Sequence, residues 1–119
     1  MKKTVVIGAS DNPERYSYKA TLALQKHHHE VIPVGISDGE INGIKIIKGM
    51  VDIFNVDTIS LYVGPKNQPF WFEYIIGLKP KRVIFNPGTE NPEFEKLLQQ
   101  NKIETIEACT LVMLSIGNY

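Results

Sequence analysis

The sequence predicts an α/β domain of Rossmann-like, three-layer build with a mainly parallel five-stranded sheet, and three observations carry the prediction. Short apolar runs rich in β-branched residues alternate with segments whose apolar positions recur every three or four residues. The connections are short, and right-handed crossovers then lay helices across both faces of a parallel sheet. Glycine recurs at the predicted strand ends, as Gly8, Gly35, Gly64 and Gly88, and the last strand ends at Cys109. Ligands of open parallel sheets bind outside the carboxyl ends of the strands, so this row of small residues would open one continuous trough.

The first strand is Thr4-Val5-Val6-Ile7, and Gly8-Ala9-Ser10 follows with almost no side-chain bulk. Asp11-Asn12-Pro13 stops an immediate helix, and Tyr16, Ala20, Ala23 and Leu24 then mark one apolar helical face beginning near Ser17. The amides after Gly8 and the first turn of that helix together suit a phosphate. The same residues also describe a tight turn with no ligand. The dinucleotide fingerprint GxGxxG is absent, and Val34-Gly35 stands where a ribose-binding carboxylate would close the second strand, which argues against NAD(H).

Glu30 to Val34 reads as the second strand, with Pro33 marking an edge or an end. His27, His28 and His29 precede it, but neighbouring helical residues point about 100° apart and cannot easily enclose one ion. They read as an exposed helix C-terminus. Gly35 to Gly43 has loop composition, Ile44 to Ile47 reads as a short accessory strand, and Val51 to Val56 has no clear pattern. Thr58 to Val63 is the third core strand. Phe70, Trp71, Tyr74, Ile75 and Leu78 form a stripe on a helix from Gln68 to Leu78, expected to pack on the sheet. Arg82 to Phe85 is the fourth strand, and Asn91 should cap a helix with Pro92 at its first position and Glu93 and Glu95 in its first turn. Ile103 to Ala108 is the fifth strand. The apolar Leu111-Val112-Met113-Leu114 that follows would be helical or docked, and a homodimer patch if left exposed.

With 119 residues, 43% of them hydrophobic and 22% charged, the chain reads as one globular domain spanning residues 1–119. Thirteen basic and thirteen acidic side chains cancel, so no general field draws it to nucleic acid or to an anionic membrane. Any anion site must be local. One cysteine excludes an internal disulfide and gives no zinc pattern. Lys2 and Lys3 precede an apolar run that soon meets Asp11, too short for a signal-peptide core, and the cytoplasm is the expected address. No carboxylate pair, nucleophile elbow or metal-ligand spacing stands out, so the chain is not expected to be an enzyme.

The run Val6-Ile7-Gly8-Ala9-Ser10-Asp11-Asn12-Pro13-Glu14-Arg15-Tyr16-Ser17, together with Val31-Ile32-Pro33-Val34 and a last strand ending in Cys109, resembles the small bacterial CoA-binding proteins. Their fold is similar to the CoA-binding domain of the succinyl-CoA synthetase alpha subunit. The resemblance implies that coenzyme A or an acyl-CoA is the ligand, its nucleotide end on the first turn and its pantetheine arm across the strand ends. It assigns hydrogen bonds to Ala9, Ser10 and Asn12, phosphate contacts to Arg15 and Ser17, and the arm's route to Asn86, Pro87 and Gly88. Gly8, Gly35 and Gly64 would shape the trough. His28 stands where relatives place a glycine, and two acids in the loop after the second strand, Asp38 and Glu40, would repel an anionic ligand. Cys109 reads as an inert, small hydrophobe; the sharper reading puts it near the CoA thiol, where a mixed disulfide could form. The expected function is thus non-catalytic binding of CoA or acyl-CoA as carrier, sensor or subunit. Binding of another nucleotide such as NAD(H), or a protein-interaction module with a vestigial pocket, are the alternatives.

Overall fold

The computed structural model describes residues 1–119. Strand β1 (Thr4–Ile7) is buried along its whole length, as a β-branched run covered on both faces should be. Helix α1 (Tyr16–Lys26) carries the chain to β2 (Val31–Gly35), which pairs parallel with β1, Thr4 opposite Val31 and Ile7 opposite Val34. A hairpin of β3 (Glu40–Ile41) and β4 (Ile44–Lys45) then turns on Asn42 and Gly43, whose φ angles of 47° and 85° are those a tight hairpin demands. Beyond it come β5 (Ile47–Lys48) and β6 (Thr58–Leu61), a 3-10 segment (Pro65–Trp71) and α2 (Phe72–Leu78). The chain finishes with β7 (Arg82–Phe85), α3 (Pro92–Gln100), β8 (Glu104–Glu107) and α4 (Thr110–Ile116).

The main sheet runs β5-β2-β1-β6-β7-β8, and every pairing in it is parallel. It has six strands where the sequence predicts five. The extra one arises because Ile44 to Ile47 does not form a single strand: Ile46 turns into the core, its N–H donating to Gly39 O, so Ile44–Lys45 joins the hairpin and Ile47–Lys48 joins the sheet. β5 covers only Val34 and Gly35, so Pro33, which has no N–H to donate, lies where β2 has one neighbour.

Alternation along the strands separates two apolar layers. Val5, Ile7, Ile59, Leu61, Val83 and Phe85 pack with Trp71, Ile75, Phe94 and Leu98 under α2 and α3, whereas Val6 and Val31 pack with Leu24 of α1 and Leu114 of α4. The predicted helix from Gln68 starts as the 3-10 segment because Pro69 lies inside it and supplies no N–H. One member of its stripe does not pack: Phe70 is 71% exposed, while Trp71, Ile75 and Leu78 are buried. Residues 51–56 form no regular element, though Val56 enters the core and Val51 O accepts from the Tyr74 hydroxyl. Asn91 caps α3 as expected, its side chain accepting from Phe94 N. The C-terminal apolar segment is the helix α4, with Thr110, Met113 and Leu114 turned inward and Val112 and Ile116 exposed.

His28 has φ 66°, the left-handed conformation after a helix end that glycine adopts without strain. His29 lies against the Tyr119 ring and accepts from Lys2 N–H at Nδ1, and burial, helped by the N-terminal charge, holds its imidazole below the ordinary pKa. No helix is long and apolar enough to cross a membrane.

Glu95 of α3 faces Glu107 of β8, and its Oε2 is shut off from solvent with no donor to meet it. Desolvation, reinforced by a hydrogen bond and charge repulsion from Glu107, pushes its carboxyl up to about 7. A carboxyl bound more tightly to its proton in the folded than in the unfolded chain contributes stability that is complete below about pH 4.5 and lost as pH rises through about 7. Glu95→Gln should therefore raise the melting temperature at pH 8 and leave it nearly unchanged at pH 4. Thermal melts across that range check this, and an equal shift at both pH values would contradict it.

Candidate functional site

β1 and β6 lie side by side, but the chain leaves them in opposite directions, from β1 through α1 to β2 and from β6 through α2 to β7. The crevice at such a divergence is where open α/β sheets bind ligands. Here it holds a cavity of ≈ 1170 Å³, walled by the turn after β1, the loop after β2 and the segment after β6. That volume lies a little above the range of ordinary small-molecule sites.

Backbone packing shapes its floor. Gly8 has φ 93°, and a Cβ there would meet the Tyr62 carbonyl at 2.9 Å. A Cβ on Gly35 would come within 2.6 Å of Ala9 O. These glycines let three neighbouring turns close on one another. Gly8 N and Ala9 N both donate to Val34 O at 3.0 Å, and Tyr62 N donates to Ile7 O at 2.8 Å.

Past this lock, the amides of Ser10 and Asp11 donate to no protein group, and neither do those of Tyr16, Ser17 and Tyr18 at the start of α1. No side chain caps α1, and its first turn holds no acid. Asn12 shapes the turn between the two sets of amides: its N–H donates to Ser10 Oγ, its Oδ1 accepts from Glu14 N and its carbonyl from Arg15 N. The result is a run of free donors at the positive end of a helix, beside a cavity that Arg15, which has no ion-pair partner, also lines.

Of the residues singled out in the sequence, Gly8, Ala9, Ser10, Arg15, Ser17 and Gly64 line the cavity. The Ala9 amide is already spent on Val34 O, so Ser10 and Asp11 hold the free donors of the turn. Asn12, Gly35, Asn86, Pro87, Gly88 and Cys109 are not among the walls. Gly35 instead backs Ala9. Asn86 is buried, donating from Nδ2 to Ser60 Oγ and Leu61 O and accepting at Oδ1 from Thr110 N, so it ties β6 and β7 to the start of α4. Pro87 and Gly88 are exposed, with Gly88 N donating to Glu90 Oε1, and Cys109 is half-buried at the N-terminal end of α4. The trough is consequently shorter than predicted. It spans the ends of β2, β1 and β6, because Asn86 and its partners occupy the end of β7.

Other wall residues were not among the site residues expected from the sequence. Lys66 and the exposed Phe70 come from the 3-10 segment, Ile36 and Asp38 from the loop after β2, and Asp11, Glu14 and Tyr16 from the first turn. Only one of the two loop acids reaches the cavity, since Glu40 is opposite Lys45 in the hairpin. Tyr62 forms part of the inner wall, its hydroxyl buried beside the Ser60–Thr110 pair but bonded to neither, and burial pushes its pKa up to about 12.

A doubly wound parallel sheet with a donor-lined cavity at its point of divergence defines a Rossmann-like α/β domain. The chain belongs to the CoA binding domain family, whose model matches residues 2–115. It is 36% identical over 113 residues to the uncharacterized protein YneT of Bacillus subtilis (strain 168), an alignment covering 93% of this chain and 84% of YneT. A crystal structure of an uncharacterized protein superposes with a TM-score of 0.98 at 52% identity, covering all of this chain and 98% of that one. The same fold forms part of a Ca. Korarchaeum cryptofilum acetyl-coenzyme A synthetase, with a TM-score of 0.71 and 16% identity over 89% of this chain and 25% of that one.

Two substitutions test this construction by urea denaturation. Gly35→Ala should destabilise by roughly 1–3 kcal/mol, because the added methyl is driven against a backbone carbonyl that cannot yield alone. Asn86→Ala should cost about 3 kcal/mol by stranding the Thr110 amide in the interior. Loss of less than about 0.5 kcal/mol in either variant would contradict the corresponding role.

Proposed function

We propose that this chain binds coenzyme A or an acyl-CoA without turning it over, serving as a carrier, a sensor or the subunit of a larger acyl-CoA system. The observation that carries the reading is the set of unspent amides at Ser10, Asp11, Tyr16, Ser17 and Tyr18 beside the unpaired Arg15 guanidinium. A pyrophosphate presents several acceptor oxygens and two negative charges to such a surface, and charge-assisted bonds of this kind are the strong ones. Arg15 adds a planar, cationic fork of donors. The apolar side chains of Ile36, Phe70 and Trp71 would shelter the less polar parts of the same molecule. Family membership supports CoA as the ligand class.

Calorimetric titration with CoA, repeated on Arg15→Ala, tests the proposal. The wild type should bind, and the variant should bind about tenfold or more weakly, the loss expected when a hydrogen bond to a charged group is removed. Arg15 is exposed, so the variant should melt like the wild type. Equal affinity of the two proteins would remove Arg15 from the site, and no heat with CoA in either would overturn the reading. Mass analysis of CoA and acetyl-CoA after prolonged incubation should show both unchanged.

A further inference from the structure

The charges around the cavity come from separate elements. Lys66 comes from the segment after β6 and Arg15 from the start of α1, whereas Asp38 comes from the loop that leaves β2. Asp11 approaches the same loop: its carboxylate lies against the backbone of Gly39, where an added Cβ would be 2.9 Å from Asp11 Oδ2. Neither aspartate has an ion-pair partner. With Glu14, the walls carry three carboxylates against two cations. Arg15, Lys66 and the free amides can neutralise one pyrophosphate, which leaves no cation for a third phosphate group.

We infer that the β2 end of the cavity recognises an unphosphorylated ribose, Asp38 and Asp11 accepting from its hydroxyls, so that the site prefers 3′-dephospho-CoA to CoA itself. This rests on the proposed reading of the site as one for the CoA class and names the form of the nucleotide it selects. An ionised carboxylate is an acceptor only, and a vicinal diol offers it two donors. A phosphate monoester in place of one hydroxyl removes a donor and brings a charge of about −1.5 to −2 against the two aspartates. Asp38 stands three residues after Gly35, the last residue of β2.

The test is parallel calorimetric titration with CoA and with 3′-dephospho-CoA on the wild type and on Asp38→Asn, whose side chain is exposed and replaceable without disturbing the core. In the wild type, dephospho-CoA should bind on the order of tenfold more tightly than CoA, the scale of one uncompensated like-charge contact near a protein surface. Asp38→Asn should bring the two affinities within about threefold, mainly by strengthening CoA, and added salt should narrow the wild-type gap. Equal or tighter binding of CoA by the wild type overturns the inference while leaving the CoA-class reading intact. An affinity ratio unchanged in Asp38→Asn overturns the role of Asp38. Failure of both nucleotides to bind overturns the CoA-class reading, and the inference with it.

Discussion

The structure depends on the contact at which three strand ends meet. Val34 O receives both the Gly8 and the Ala9 amide, Gly35 lies flat against Ala9 O, and Gly8 passes close under the Tyr62 carbonyl. Side chains at either glycine would push the turns apart. The first two amides of the turn are consumed in holding it down, the next two remain without a protein acceptor, and Asn12 bends the chain so that the start of α1 adds its own free amides to theirs. A donor-lined hollow is thus a by-product of how tightly the backbone packs beneath it.

Two buried polar side chains fix the rest of that end of the sheet. Gln68 donates to Val63 O and Thr89 O and accepts from Asn91, joining the segment after β6 to the cap of α3. Asn86 does the same between β6, β7 and α4. Each spans elements distant in sequence and is almost fully enclosed, where an unmet polar atom is costly. Between them they hold the cavity's far wall in place and close off the ends of the last two strands.

Local pattern made much of this legible in the sequence. Thr4 to Ile7 and Arg82 to Phe85 are strands with those bounds, and Asn91-Pro92 starts its helix, because propensity, capping chemistry and burial agree at each. The pattern was misleading where tertiary contacts decide. Nothing near Ile46 in sequence says that it will be drawn into the core and break a strand in two. A helical stripe does not distinguish Phe70 at a cavity rim from Trp71 beneath it. Of the site, the turn and Arg15 could be read in advance because the donors are consecutive in the chain. The loop acids could be flagged, but not which of them enters, and Lys66 could not be read at all, since crossover geometry alone brings these loops to the same crevice.

The flanks of the sheet carry a consequence for colloidal behaviour. An uncovered edge strand is a template on which another chain can lay down a β-ladder. On one side the outermost strand is two residues long and its neighbour contains Pro33; on the other, β8 sets Glu104 and Glu107 around its half-exposed Ile106. Like charges brought into register repel, so the acids act as gatekeepers against edge-to-edge growth. That protection is ionic, and added salt, by screening those charges, would leave β8 an adhesive border.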